Sequence, residues 1–343
     1  MTKRIIPHIN KIDGIRFNKL LVLFCILCAS SFGAESVPKG LIGDWSLDLS
    51  SKEPAWLKVE VVDGKPVVYM RVHVLSGGPH KGVEIEEKRI TFPMKIKREG
   101  KDGPVTKTST VNVGMKNGKL DGLILDGSAE KPYRRITFTG KKFPPMPPSP
   151  DLSKVRFGQP QSLFNGKDLT GWHLYNPKKT NGWSAEDGML VNSTPKTDFG
   201  STGSYGNLQT EAVFEDFWLH IEFLIDANRN SGVYLRGMYE AQVVDRDSRM
   251  QGLQGVGSIF GRIAPSEKAG REIGEWQTCD LTLVDRHVTV VLNGVKVIDN
   301  QPVEGPTGGA VHTDPMTPGP LHLQGDHTSV KYKNIYLARV VRN

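Results

Sequence analysis

The sequence predicts an all-β protein, a jelly-roll sandwich preceded by a smaller all-β unit that is either a barrel or a sandwich. Three observations predict it. No segment sustains a helical period, and apolar residues alternate with polar ones at a period of two. The 37 Gly and 22 Pro in 343 residues mark many turns between short strands. Those turns include hairpin pairs such as Asp63-Gly64, Asn117-Gly118 and Asn293-Gly294.

The chain opens on what reads as an export leader over residues 1–34. A basic segment precedes the apolar run Leu20 to Ala29, too short to span a bilayer, and small residues follow up to Gly33 and Ala34. The expectation is an exported protein, periplasmic or extracellular, with an uncleaved anchor as the alternative. The leader also carries Lys3, Arg4, Lys11, Arg16 and Lys19 against Asp13 alone, so only +3 of the formal +7 belongs to the rest. That balance gives no reason to expect nucleic acid as a partner. Cys25 and Cys28 would leave with the leader. Cys279 then stands alone in a strand-like run, reads as a buried structural thiol, and leaves no intrachain disulfide and no cysteine zinc site.

Residues 38–140 read as the small all-β unit. Its apolar-rich runs, among them Trp56 to Val62, Arg89 to Ile96 and Arg134 to Gly140, are separated by turn signals. Gly43-Asp44-Trp45 at its start with Arg134-Arg135 near its end is similar to the Gly-x-Trp plus Arg closure of lipocalin-like barrels. His73 and His80 stand alone, so no catalytic constellation appears here. Residues 141–160 are dense in proline, which favours a stiff extended linker.

The second unit, 161–343, carries the chemistry. In Phe214 to Asp245, Leu219, Ile221, Phe223 and Ile225 take one parity and His220 and Glu222 the other. The pattern continues with Val233 and Leu235 against Tyr234 and Arg236, then Ala241 and Val243 against Glu240 and Gln242. Three consecutive strands are therefore expected to gather His, Glu, Arg, Glu and Gln on the face away from the core, a grouping suited to a site. His287 to Asp299 is a hairpin around Asn293-Gly294. Residues 305–320, rich in Gly and Pro, form a long loop of the kind that serves as a lid or binding loop. In Leu321 to Gln324, His322 and Gln324 share one face, and Gly325-Asp326-His327 follows.

These segments are similar, in order, to those of the 3-keto-disaccharide hydrolase family. The resemblance rests on Leu163 to Trp172, Glu222-Phe223, Asn230 to Arg236, Tyr239 to Asp245, Gly274 to Trp276, Leu292 to Val297 and Leu323 to Ile335. It implies a concanavalin-like jelly roll and cleavage of a glycosidic bond in a sugar oxidised at C3. Such a ketone acidifies the C2 hydrogen, so a base removes it, the enolate expels the C1 substituent and water adds back. That chemistry needs a base, a stabiliser for the enolate oxygen and an acid or metal for the leaving group. His327 suits the base and Arg236 the oxyanion. Glu222, Glu240 and Asp245 suit acid, base or metal ligand. Gln242, Gln324, Tyr234, His220 and Trp276 suit substrate contacts. A divalent metal is compatible with the carboxylates and His327 but not required, and neither a nucleotide loop nor a His-Glu-x-x-His motif is present. Thr328 stands where the family often carries Gly, which leaves the aim of His327 open.

Two other readings stand beside this one. Glu240-x-Gln242-x-x-Asp245 is similar to the Glu-x-Asp-x-x-Glu strand of laminarinase-like hydrolases, with two of the carboxyl positions altered. A non-catalytic carbohydrate-binding module on the same sheet is the other. All three readings take a carbohydrate or glycoside as partner, and none needs a membrane span once the leader is removed.

Overall fold

The computed structural model describes residues 36–72, 78–100, 103–127, 132–195, 201 and 203–342. The leader and His73 lie outside them. No helix among the described residues is long and apolar enough to cross a membrane.

The first eight strands are β1 (Gly43–Leu49), β2 (Pro54–Val62), β3 (Lys65–Val72), β4 (Glu84–Glu86), β5 (Arg89–Gly100), β6 (Gly103–Lys116), β7 (Lys119–Gly127) and β8 (Pro132–Lys142). They pair in the order β3-β2-β1-β8-β7-β6-β5-β4. Because β8 returns to β1, the meander closes on itself except between β3 and β4. Near that seam the His80 amide donates to Val68 O at 2.8 Å. The turns at Asp63-Gly64 and Asn117-Gly118 hold both residues at positive φ, as tight two-residue hairpins require. Leu57, Met70, Phe92, Val111 and Phe138 fill one core. Trp45 belongs to it, but its cationic cover is Lys142, with Nζ 5.4 Å from the ring, and not Arg134 or Arg135. Register decides this: Trp45 pairs with Lys142, whereas Arg134 lies opposite Asp126.

Residues 143–160 carry no strand and are bonded along the second unit. The Arg286 guanidinium donates to Pro144 O and Pro145 O, and the Asn300 amide to Ser149 Oγ and Pro150 O. The remaining strands are β9 (Gln161–Ser162), β10 (Trp172–Leu174), β11 (Trp183–Glu186), β12 (Met189–Asn192), β13 (Leu208–Phe214), β14 (Phe217–Leu224), β15 (Asn230–Leu235), β16 (Tyr239–Val244), β17 (Gln277–Val284), β18 (His287–Leu292), β19 (Val295–Pro302), β20 (Gly319–Leu323) and β21 (Val330–Arg339). They form a sandwich. One sheet runs β10-β13-β20-β15-β16; the other runs β11-β12-β21-β14-β17-β18-β19, with β9 beside β21. Between them pack Leu219, Ile221 and Phe223 of β14, Val233 and Leu235 of β15, Ala241 and Val243 of β16, and Leu321 and Leu323 of β20. Cys279 is buried in this core, and burial pushes its thiol up to about 12, where it is an inert packing group.

The three strands expected to share one polar face do not lie in one sheet. Strand β14 lies in the larger sheet while β15 and β16 lie in the smaller, so the polar parity of β14 faces outward on the opposite side of the sandwich. Alternation tells inward from outward but not which sheet a strand joins.

The 305–320 loop is pinned from two sides. Toward the barrel, Thr313 Oγ1 donates to Ala55 O at 2.8 Å, Lys58 pairs with Glu304, and Gly305 lies under the Trp56 ring. Toward the sandwich, Thr307 N donates to Met238 O and Val311 N to Gly237 O. At Gly305 (φ +70°), an added Cβ would stand 2.6 Å from Trp56, whereas at Gly64 (φ +73°) it would meet nothing within 4 Å. Gly64→Ala should therefore cost only the left-handed backbone penalty of about 1–2 kcal/mol. Gly305→Ala should cost about 1–3 kcal/mol more, because it adds a clash. Urea melts of the two variants check the difference, and equal losses would contradict the pinned loop.

Candidate active site

Every residue of β15 and β16 is buried, on the outward parity as well as the inward one. Register explains what that outward parity holds. His173 of β10 pairs with Gln209 of β13, Gln209 with His322 of β20, His322 with Tyr234 of β15, and Tyr234 with Glu240 of β16. One polar row thus crosses all five strands of the smaller sheet. Beside it, the backbone amide of Gln324 donates to Gly232 O, and Gly232 pairs with Gln242.

Glu240 is the carboxyl member of this row and is 3 % exposed. Gly232 makes room for it, since a Cβ there would stand 2.3 Å from Glu240 Oε1. Gln324 Nε2 lies 3.5 Å from that oxygen and 3.4 Å from the Tyr234 hydroxyl, which itself donates to Gly308 O at 2.9 Å. Burial, reinforced by the charge of Asp326, raises the Glu240 carboxyl to about 8; Tyr234 and Arg71 work the other way and lose. At neutral pH this group is mostly the acid. His322 beside it is fully buried, and burial pushes its imidazole down to about 4, so it is neutral.

The Gly325-Asp326-His327 loop borders this face. Its backbone is fixed by Asn207 Oδ1, which accepts from Gly325 N and Asp326 N, and by Thr194, which donates to Gly325 O at 2.6 Å. Thr328 replaces the flexibility a Gly would give with two bonds, accepting from Asn230 N at 2.7 Å and donating to Asn230 O at 3.0 Å. Asp326 Oδ1 lies 2.7 Å from His327 Nδ1, and Oδ2 accepts from Ser201 at 2.7 Å. Burial alone would raise Asp326, but His327 and Ser201 hold it below its usual value. With the proton on Nδ1 directed at Asp326, Nε2 of His327 is left as the acceptor, the arrangement a general base needs.

Gln209 Oε1, Gln242 Oε1, Gln324 Oε1 and both ring nitrogens of His322 are buried side-chain atoms without a protein hydrogen-bond partner. All five lie on this one face. Buried polar groups are normally paired, so such a cluster marks a surface made for a ligand rich in donors and acceptors. A separate cavity of about 500 Å³, lined by Arg246, Gln251, Val256 and Lys268, contains none of these groups and offers no comparable chemistry.

Five of the sequence-predicted site residues therefore belong to this region: Glu240, Gln242, Gln324, Tyr234 and His327. Five do not. Glu222 faces outward from the larger sheet, bonded to Asn334 at 2.7 Å and paired with Lys333. His220 is tied there to Asp280, and Trp276 lies beneath Lys333. Arg236 leaves the strand alternation because it forms the β15–β16 turn with Gly237, both at positive φ, and its guanidinium donates to Pro315 O and Thr317 O. It clamps the loop. Asp245 has the opposite parity to Glu240 and accepts from Asn228 N at 2.9 Å, so the pair of facing carboxyls that a laminarinase-like retaining mechanism needs is not formed. Among the described residues no group of three or more His, Cys, Asp or Glu is placed to hold a metal ion. Sequence reasoning passed over His322 and Asp326 as site residues, although His322 shares its parity with Gln324 and Asp326 stands inside the closing motif.

Residues 159–338 match the profile of the 3-keto-alpha-glucoside-1,2-lyase-like domain. No protein of curated function matches the chain. Among solved structures, a Parabacteroides distasonis protein provisionally named a glycosyl hydrolase is 24% identical, with a TM-score of 0.44 over 53% of this chain and 94% of that one. A non-specific endo-β-1,3(4)-glucanase of family GH16 is 13% identical, with a TM-score of 0.33 over 55% of this chain and 91% of that one. At these scores neither likeness adds to the fold or the site.

The raised carboxyl of Glu240 has a stability signature. The unfolded chain holds it near 4.5 and the folded one near 8, so the folded state binds more protons in between. Stability should fall as pH rises through that window. Glu240→Gln should remove this loss: its melting temperature should exceed that of the parent increasingly from pH 5 to 8, with the gap closing at low pH. A gap independent of pH would contradict the burial argument.

Proposed function

The chain belongs to the 3-keto-alpha-glucoside-1,2-lyase-like family, and from that premise we propose that it cleaves 3-keto-glycosides by C2 proton abstraction, elimination and hydration. At the coarser level it is a carbohydrate-active, hydrolase-like protein. The observation that supports the finer reading is the joint presence, at one sheet face, of unpartnered amide and imidazole atoms, a protonated carboxyl and an Asp–His pair. The two carboxyls are pushed to opposite states, Glu240 kept as the acid by burial and Asp326 kept ionised beside the imidazole by His327 and Ser201.

His327 Nε2 takes the C2 proton, while Asp326 holds the imidazole in the required tautomer. The electron pair moves into the enolate, whose oxygen is the former C3 carbonyl. As the enolate collapses, the C1–O bond breaks and Glu240 gives its proton to the departing oxygen. Water then adds at C1 of the resulting enone and a proton returns to C2, so the balance is a hydrolysis. Gln209, His322, Gln324 and Gln242 hold the sugar hydroxyls. Export through the 1–34 leader, to the periplasm or beyond, belongs to the same proposal; a chain recovered in the cytoplasmic fraction with its leader intact would refute it.

A 3-keto-glucoside and its unoxidised parent, followed for aglycone release, test the reading. Release should occur from the keto sugar alone. His327→Ala and Glu240→Gln should each lower it about 10²–10⁴-fold, the usual worth of a general acid or base, whereas Glu222→Ala and Asp245→Asn should leave the chemistry in place. Activity should also decline as pH rises through about 8, when Glu240, set by burial, Asp326, Tyr234 and Arg71, loses its proton. Cleavage of the parent sugar, or sugar binding without release from either, would overturn the proposal.

A further inference from the structure

We infer that the barrel is part of the catalytic site: Arg71 of β3 is the anion-binding residue that takes the enolate oxygen, the role the sequence suggested for Arg236. The inference rests on the proposed function and deepens it. Arg71 lies outside the 159–338 segment matched by the family, on an element with no part in the sandwich.

Strand geometry places it. On β3, Val68, Met70 and Val72 point into the barrel core, so Arg71 points out. Its register partner on β2 is Trp56, which is 1 % exposed yet absent from that core. Trp56 is covered from the sandwich side. Gly305 lies against its ring, and the Arg262 guanidinium stands 4.8 Å from the ring centroid. The outward face shared by Trp56 and Arg71 thus abuts the pinned loop. The same loop contacts the candidate site. Its Gly308 O accepts from the Tyr234 hydroxyl, and its Thr307 Oγ1 accepts from the Glu240 backbone amide at 3.0 Å.

Arg71 is 8 % exposed, its Nε is buried without a hydrogen-bond partner, and no ion pair to it occurs among the described residues. The acidic groups whose charge reaches it are Tyr234 and Glu240, both members of the polar row. A guanidinium keeps its charge when buried, and an unpaired buried charge is costly. Glu240, protonated at neutral pH, does not discharge it. A full positive charge therefore faces the row and is available to an anion formed on the substrate. Arg262, the second cation nearby, is already committed to Pro306 O.

Full-length Arg71→Met and Arg71→Lys test the inference, with thermal melts establishing that both fold. Arg71→Met should lower kcat on the keto sugar about 10²–10³-fold, as loss of one oxyanion donor does, with a smaller change in KM. Arg71→Lys should recover part of that loss. Because Arg71 works to lower the Glu240 carboxyl, its removal should also move the alkaline limb of the rate profile upward. Infrared titration of the Glu240 carboxyl, without substrate, should show the same upward movement. Wild-type-like turnover and an unmoved limb in Arg71→Met would overturn the inference while leaving the proposed function intact. A wild-type protein inert on the keto sugar would instead sink the proposed function. Arg71 would then be judged by the substrate-free titration, where an unmoved carboxyl overturns its placement and an upward movement supports it.

Discussion

The burial of Glu240 is the constraint on which the rest of the site depends. A carboxyl enclosed without a bonded cation stays protonated at neutral pH, and that state requires burial and the charge of Asp326 to outweigh the lowering by Tyr234 and Arg71. The surroundings comply. Gly232 gives up a side chain to admit the carboxyl, Tyr234 commits its hydroxyl to Gly308 O, and Gln324 offers an amide. Asp326, a carboxylate held ionised nearby, is occupied by His327 and Ser201. The two carboxyls are thus held in opposite protonation states although both belong to one small region.

That enclosure is produced by parts of the chain far apart in sequence. The sandwich supplies the row, but the loop over it is fastened from the other side by Ala55, Lys58 and Trp56 of the barrel. A loop rich in Gly and Pro has little order of its own to offer. Its bonds to two bodies supply the order instead. Arg286, Asn300 and the prolines of 143–150 add a second fastening, so the barrel is held to the sandwich at several separate points.

Much of the fold was legible because strand alternation and two-residue turns are local. Asp63-Gly64, Asn117-Gly118 and Asn293-Gly294 each hold both residues at positive φ. The site was legible only in part, for reasons that are physical. Glu240, Gln242 and Gln324 sit on regular strands or at their ends, where parity gives the face. Glu222 also sits on a regular strand, but parity is silent on which sheet the strand joins. Arg236 stands at a turn, where the strand alternation has already ended. Asp245 keeps the spacing of the carboxyl it resembles, but on this strand that spacing gives it the opposite parity to Glu240. Arg71 was beyond local reading altogether, since nothing near it in sequence tells that the barrel's outer face meets the sandwich.

The fate of the hydrogen at C2 is the most direct test of elimination through an enolate. A 3-keto-glucoside carrying deuterium at C2 would be turned over in ordinary water, and the same sugar kept without enzyme would measure spontaneous exchange. Aglycone release should be slower than from the unlabelled sugar, and the product should lose more deuterium than spontaneous exchange removes. Equal rates with the deuterium retained at C2 would mean that the glycosidic bond breaks without the enolate, and the roles given to His327, Glu240 and Arg71 would fall together.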